Sequence, residues 1–154
     1  MSQWYRKVTN DLTQIDPCIT HYEKEWGDAR LELTMRTKTI EKHESELPGI
    51  IEYRFNQLQE IEAILEYLNI ELRKVTAAKF RKYLENYNKQ LSSADAKKYA
   101  EGDSEVVDMA LLTNEFALLR NKYLGVMKGL DTKGFMLGHV TKLRVAGLDD
   151  AMIL

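Results

Sequence analysis

Apolar residues recur every seven positions between residues 51 and 75. One track holds Ile51, Leu58, Leu65 and Leu72, and the other, offset by three, holds Ile61, Leu68 and Val75. This spacing places both tracks on one narrow stripe of a helix, as in a coiled-coil seam. It predicts a long helix over residues 49–90, which needs an equally long partner because so small a chain cannot bury it alone.

Both tracks end in lysine, at Lys79 and Lys82. These lysines lie within residues 77–83, where cations alternate with aromatic side chains. Burying a lysine without a partner costs free energy, so both side chains are expected to face water or an anion. We call residues 73–83 the basic tip. Its candidate binding residues are Arg73, Lys74, Lys79, Arg81, Lys82 and Tyr83.

A second seam follows the first. Met109, Phe116, Tyr123 and Leu130 are seven apart, and Leu112, Leu119 and Val126 interleave with them. Asp103 and Ser104 offer an N-cap, so this helix is predicted to begin at Ser104 and to reach Leu130. The two seams are expected to form the core. Beyond Gly129 and Gly134, a helical stripe continues to about residue 146 and holds Phe135, Leu137, Val140 and Leu143.

The first 47 residues predict shorter helices. Residues 3–14 form one, and another starts at Pro17 with Asp16 as its N-cap. Residues 47–49, Leu-Pro-Gly, are expected to end or kink it, because proline lacks an amide donor and disfavours helical backbone at the preceding residue. A short helix between Ser92 and Gly102 is predicted from its cap signals. The tail, residues 147–154, is expected either to fray or to dock on a neighbour.

The composition predicts a single all-α domain over residues 1–154, with long antiparallel helices and short connecting ones. Leucine, glutamate, lysine and alanine are plentiful and there are only two prolines. No apolar run approaches the roughly 20 residues of a bilayer span, and the polar start lacks a secretory apolar region. Cys18 is the single cysteine, so no internal disulfide can form. We expect a cytoplasmic protein in which Cys18 is an inert side chain.

The charge is unevenly distributed along the chain. A net charge of −2 argues against a surface that attracts nucleic acid everywhere. Glutamate dominates residues 41–66, whereas lysine and arginine dominate residues 73–89 and recur through residues 120–144. Because fields between exposed charges decay over about 8 Å at physiological salt, local patches determine what binds.

Motifs for catalysis and metal binding are incomplete. The glycines around residues 129–134 echo a phosphate-binding loop, but Phe135 and Met136 replace its lysine and hydroxyl residue. His43 and Glu44 begin a zinc-protease motif whose second histidine would be Leu47. The Glu-x-x-His ligands of di-iron bundles are missing too. The sequence therefore predicts a protein that is not an enzyme, with no cofactor and no metal.

Two stretches of the chain hold short motifs in an order typical of one protein family. Residues 70–83 contain a Lys-x-Arg step followed by tyrosine. Residues 103–144 have an acidic start, a long amphipathic helix, then Lys133-Gly134-Phe135 followed by His139 and Arg144. Ile15-Asp16 ahead of Tyr22 is a weaker echo. In these features the chain resembles the UvsY family of recombination mediators from T-even-type bacteriophages, and the resemblance covers about two thirds of the chain in order.

The resemblance implies a non-catalytic, ring-like homo-oligomer that binds single-stranded DNA, destabilises the coat of single-strand-binding protein and helps load a RecA-like recombinase. It would act in the host cytoplasm if the chain is phage-encoded. The family's Lys-x-Arg pair is tied to DNA binding and corresponds to Lys79 and Arg81. Its carboxy-terminal helix is associated with assembly and corresponds to Phe135, Leu137, Val140 and Leu143. Lys82 beside the pair and a longer amino-terminal helix depart from the family, which leaves subunit number and partner specificity open.

Physical arguments leave two classes of function open. Cations repeated around an oligomer would give avidity for one strand, and Phe80, Tyr83 and Tyr87 could stack on bases. Alternatively, the basic tip is a solvated helix face, and the chain is a helical coiled-coil scaffold or adaptor that binds no nucleic acid.

Overall fold

The computed structural model describes residues 3–87 and 90–147, and throughout these ranges the protein is all-α. Helix α1 spans Gln3–Asn10 and is followed by a 3-10 turn at Leu12–Gln14. Helix α2 spans Ile15–Leu31 and α3 spans Ile40–Asn86. The short α4 spans Ser93–Glu101, and α5 spans Ser104–Val145. The predicted fold class is therefore confirmed.

Helix α3 is continuous through Pro48, so the boundary predicted at residues 47–49 is wrong. The helix contains 47 residues, or roughly 70 Å of helix rise. Pro48 cannot donate to the carbonyl of Glu44. Both residues are exposed, so water can satisfy that carbonyl, and the flanking helix retains its packing.

The break in helical structure lies instead between α2 and α3, at residues 32–39. We call these residues the α2–α3 connection. Threonine side chains support this turn by bonding to the backbone. Thr34 Oγ1 accepts from the amide of Arg36 at 3.3 Å, and Thr39 is the N-cap of α3, accepting from the amide of Lys42 at 3.3 Å. The sequence analysis extended the second helix through these residues, because it took Pro48 as the stronger signal for a helix end and gave less weight to threonine capping.

The other helix ends follow their cap signals more closely. Ser92 caps α4 and Asp103 caps α5, as predicted, and Gly102 lies at the end of α4. The predicted cap at Asp16 is wrong, because α2 already begins at Ile15 and Asp16 lies in its first turn. Asp11 instead caps the 3-10 turn, accepting from the amide of Thr13.

Helix α5 runs without interruption for 42 residues, so Gly129 and Gly134 do not separate an assembly helix from the second seam. Gly129 leaves room for the α2–α3 connection. A β-carbon at this position would lie 2.8 Å from Cδ2 of Leu33. The glycine therefore permits close packing inside a helix.

The two seams form the core, as the heptad pattern predicts. Late α3 lies beside early α5, and early α3 lies beside late α5, so the two long helices are antiparallel. The buried seam residues are Leu58, Ile61, Leu65 and Leu68 from α3, and Phe116, Leu119, Tyr123, Val126 and Leu130 from α5. Helices α1 and α2 cover one side with Val8, Ile15, Cys18 and Tyr22.

A buried ion network joins α2 to α3. Arg54 is 3% exposed, and its guanidinium donates to both oxygens of Glu32 at 3.0 and 2.6 Å. It also donates to Glu25 at 2.9 Å, and Gln57 donates to the same carboxylate at 3.0 Å. Every charged group in this network has a partner, as burial of a charge requires.

Candidate nucleic-acid interface

The basic tip lies where the end of α3 meets the start of α5. Lys79 is the innermost of its cations, with a side chain only 15% exposed. Its Nζ lies 3.2 Å from Glu105 Oε2 and 3.7 Å from Asp103 Oδ1. The hydrogen bond to Glu105, with the charge of Asp103, raises the pKa of Lys79. Lys79 therefore carries a charge that is already compensated within the protomer.

Asp103 organises this junction. Its Oδ1 accepts from the amide of Glu105 at 3.0 Å and so caps α5, while its Oδ2 accepts from the Tyr83 hydroxyl at 2.9 Å. These hydrogen bonds hold the pKa of the Asp103 carboxyl below its usual value against the opposing effect of burial. Lys79 and Tyr83 thus fasten α3 to the beginning of α5.

The remaining cations of the tip are exposed and held weakly. Arg81 is 78% exposed, with Nε 3.8 Å from Glu85. Arg73 contacts Glu66 at 3.4 Å and Lys74 contacts Glu71 at 2.9 Å, both at exposed positions. Lys82 is exposed and forms no ion pair within the described ranges. Surface pairs of this kind are worth about 0–1 kcal/mol, so a phosphate can replace the carboxylates at little cost.

Three tyrosines pack together beside the tip, and we call them the tyrosine cluster. The rings of Tyr83, Tyr87 and Tyr99 have centroids 5.6–6.0 Å apart. Tyr87 and Tyr99 remain about half exposed. The sequence analysis named Tyr83 and Tyr87 but missed Tyr99, because nothing in the local sequence shows that α4 folds back against the end of α3.

Phe80 lies elsewhere. It lines a groove of about 690 Å³ between α3, α4 and α5, together with Leu72, Ala100 and Val106. Arg73 also lines this groove. Phe80 is half-buried in apolar surroundings and is not part of the tyrosine cluster, so it is a poorer stacking candidate than the exposed tyrosines.

The stripe expected to mediate assembly divides between surface and core. Phe135 is 75% exposed and Leu143 is 42% exposed, while Val140 is half-buried. Leu137 is 2% exposed and packs within its own protomer against Leu47. The surface that remains for self-association consists of Phe135, Val140 and Leu143, and Phe55 of α3 is a further exposed apolar side chain that the sequence analysis missed.

Two observations concern metal ligands and the single cysteine. Residues 3–87 and 90–147 contain no group of three or more His, Cys, Asp or Glu side chains that could hold a metal ion. Cys18 is buried, and burial, with the nearby charge of Glu60, raises the pKa of its thiol to about 12. Such a thiol stays protonated and is a poor nucleophile.

The fold and this surface define an all-α protein built on two long antiparallel helices with a mixed cationic and aromatic end. Within the part of the chain that the structure describes, no helix has the length and apolar character needed to cross a membrane. Comparison with known proteins gave no matching family model, curated protein or solved structure.

Proposed function

We propose that this chain is a non-catalytic recombination mediator that binds single-stranded DNA as a homo-oligomer. The observation that carries the DNA-binding part is the placement of exposed Arg81 and Lys82 at the same end of the molecule as the exposed tyrosine cluster. Cations neutralise backbone phosphates, and aromatic rings stack on unpaired bases. The pairing of both features favours a single strand over a duplex, whose bases are already stacked.

The structure changes which residues we assign to the contact. Arg81, Lys82, Arg73 and Lys74 remain candidates for phosphate contacts because they are exposed. Lys79 is assigned to positioning, because Asp103 and Glu105 already bind it. Tyr87 and Tyr99 are the preferred stacking residues. Stacking contributes about 1–3 kcal/mol per base and tolerates any sequence.

Self-association multiplies these contacts. One tip presents few cations and would bind weakly, whereas several tips engaging one strand gain affinity through effective concentration. Phe135, with its large exposed ring, and Leu143 are the residues we assign to this assembly. A ring-like arrangement is the form implied by the resemblance to the UvsY family.

The mediator role rests on that resemblance together with a physical argument. A strand held in a fixed shape on the oligomer would bind one competitor poorly and another well. The binding of single-strand-binding protein to the strand would thereby be weakened, and the binding of a RecA-like recombinase would be strengthened. No energy source is needed for this exchange. Both proteins are therefore proposed partners, in the cytoplasm of the host cell.

The double variant Arg81→Ala with Lys82→Ala tests DNA binding. Loss of two phosphate contacts should lower affinity for labelled oligonucleotide about tenfold and reduce the slope of log K against log salt by about 1.4. Lys24→Ala with Lys128→Ala removes the same charge from exposed positions elsewhere and should leave both quantities unchanged. Fluorescence anisotropy at two salt concentrations, with duplex as comparison, gives both values. Equal effects from the two double variants would contradict the assignment of phosphate contacts to Arg81 and Lys82.

The variant Phe135→Asp with Leu143→Asp tests assembly. Charge on an apolar interface should dissociate the oligomer, because desolvating unpaired carboxylates is costly. Light scattering coupled to size exclusion should therefore give the mass of a protomer, with unchanged helicity by circular dichroism. Leu31→Asp with Leu84→Asp is the matched control, because it places two charges at similarly exposed apolar positions outside α5. An unchanged oligomeric mass would place the interface elsewhere.

One observation favours the alternative function, a scaffold that binds no nucleic acid. Val107, Leu111 and Leu118 form an exposed apolar stripe at helical spacing on α5, and Leu111 and Leu118 are each more than 60% exposed. Such a stripe suits a partner helix. A wild-type protein that fails to bind oligonucleotide in low salt would favour this function.

A further inference from the structure

A second cationic site lies away from the basic tip, in a cavity of about 370 Å³ beneath the α2–α3 connection. Thr34, Thr37, Lys38 and His43 line it from the connection and early α3, and Lys133 lines it from α5. Lys79 contacts the start of α5 at Asp103, and Lys133 lies 30 residues further along. That separation is roughly 45 Å of helix, so this cavity is a different site from the basic tip.

Lys133 is a buried cation with unused hydrogen-bonding capacity. It is 5% exposed, and its Nζ donates to the backbone carbonyl of Glu32 at 2.6 Å. Among the described residues it forms no ion pair with a carboxylate, since Glu46 pairs with Lys38 and Glu32 pairs with Arg54. An ammonium group has three N–H donors, so two remain for another partner. Burial, together with the nearby charge of Lys38, lowers the pKa of Lys133, and the charges of Glu32 and Glu46 oppose this shift without reversing it.

His43 supplies an unused acceptor in the same cavity. It is 4% exposed, and its Nε2 is buried without a hydrogen-bond partner among the described residues. A hydrogen bond to the backbone of Met35 engages the ring, and Nε2 is the nitrogen left without a partner. Burial, followed by the charge of Lys133, lowers the pKa of His43 and so favours the neutral imidazole, in which one ring nitrogen is an acceptor.

The acidic residues that line the cavity are already paired. Glu46 forms an ion pair with Lys38, and the carboxylate of Glu32 is bound by Arg54. Their charges act on Lys133 from a distance and offset its burial only in part. The site therefore combines a buried cation that has no ion-pair partner with an unsatisfied buried acceptor, and native proteins rarely leave such groups without a partner.

An adjoining concavity extends the positive surface outward. It has a volume of about 600 Å³, shares Thr37 and Lys38 with the cavity and is also lined by Arg36, Lys42 and Arg144. Among the described residues, no acidic side chain lines it. The N-terminus of α3 begins at the same place, and the positive end of its dipole adds to the field.

We propose that this cavity binds a free phosphate or a phosphate monoester. Lys133 would donate hydrogen bonds to the phosphate oxygens, and His43 Nε2 would accept a hydrogen bond from the phosphate O–H. Inorganic phosphate keeps an O–H at neutral pH, and a monoester keeps one in its monoanionic form, which loses that proton with a pKa of about 6. A phosphodiester has no O–H to donate. The hydroxyls of Thr34 and Thr37 complete the oxygen contacts. The remainder of a monoester would lie along Arg36, Lys42 and Arg144.

The full-length protein can be titrated with inorganic phosphate by calorimetry, with sulfate as comparison. Phosphate should bind saturably at one site per protomer. Sulfate, which has no O–H at neutral pH, should bind about tenfold more weakly because it leaves Nε2 unsatisfied. Equal affinity for the two anions, or no saturable phosphate binding, overturns the assignment.

Variants and spectroscopy locate the site. Lys133→Met should weaken phosphate binding about tenfold or more, while Lys128→Met, an exposed position on the same helix, should leave it unchanged. Because Lys133 is buried, the less buried Lys38→Met gives a second variant, expected to weaken binding less. The His43 Nε2 resonance in wild-type protein should shift on adding phosphate, a result independent of any variant. An unmoved resonance contradicts the proposal.

Two further ligands distinguish a monoester from free phosphate as the natural ligand. They also distinguish binding in this cavity from the DNA binding of the proposed function. Displacement of inorganic phosphate by a nucleoside 5′-monophosphate indicates a monoester ligand, and failure to displace it indicates free phosphate. An oligonucleotide without a terminal phosphate should not compete, and competition by it would overturn the monoester assignment. The Arg81→Ala, Lys82→Ala variant should bind phosphate normally, so loss of DNA binding and loss of this site are distinguishable.

Discussion

Replacing Arg54 with alanine is expected to lower the free energy of unfolding by about 3 kcal/mol, because it leaves the partly buried carboxylates of Glu25 and Glu32 without their cation. The guanidinium is almost fully buried and donates four hydrogen bonds, to Glu25, Glu32 and Gln57. Urea unfolding followed by circular dichroism measures the change. Arg81→Ala, at an exposed arginine on the same helix, should change the free energy by less than about 0.5 kcal/mol.

The same network predicts a dependence on acid. Burial raises the pKa of the Glu25 carboxyl, but hydrogen bonds from Gln57 and Arg54 outweigh it and hold the pKa below its usual value of 4.5. A group with a depressed pKa stabilises the fold above pH 4.5, and that stabilisation is lost as the pH falls through the folded-state pKa. The wild type should therefore lose more stability than Arg54→Ala between pH 5 and pH 3. Parallel losses would show that the network does not couple to Glu25.

Leu137→Asp should be the most damaging change in the carboxy-terminal half of α5. It places a charge among Leu47, Val126 and Leu130, where no partner is available in the described core. The expected loss is about 4 kcal/mol or more, enough to unfold a domain of ordinary stability. Phe135→Asp, two residues away and 75% exposed, should alter the free energy of unfolding by less than about 0.5 kcal/mol.

The contrast between these two positions distinguishes fold from assembly. Thermal unfolding of each single variant, at a protein concentration low enough to favour protomers, isolates the intramolecular effect. Similar melting temperatures for Leu137→Asp and wild type would contradict the buried position of Leu137. A large loss for Phe135→Asp under the same conditions would show that its ring stabilises the protomer itself.

The core of the fold was predictable because its signal repeats. Each heptad seam is carried by several apolar residues in fixed register, so the pairing of α3 with α5 does not depend on any single one. The caps at Ser92 and Asp103 were predictable for a similar reason, since the capping side chain and its helix are adjacent in sequence. Boundaries argued from one residue fared worse: Pro48 is tolerated in mid-helix, and the true break rests on threonine capping at residues 34–39.

The candidate site was predictable in composition but not in arrangement. The sequence identifies a cluster of cations near residue 80, yet Lys79 is bound by Asp103 and Glu105, which lie more than 20 residues away. Tyr99 and Lys133 acquire their importance in the same way, through helices that meet only in the folded chain. Local spacing cannot report such contacts, because each depends on how the long helices are aligned.

Uninterrupted α3 and α5 set a long, fixed distance between the two ends of the protomer. The junction at Asp103 and the α2–α3 connection lie toward opposite ends of these rods, and helix rise alone fixes the distance between them at roughly 45–60 Å. Two ligands, one bound at each end of the protomer, would be held that far apart and would not contact each other. Removing one heptad from each rod would shorten the interval by about 10 Å and keep the apolar stripes facing, so the reach of the protomer is written in its number of repeats.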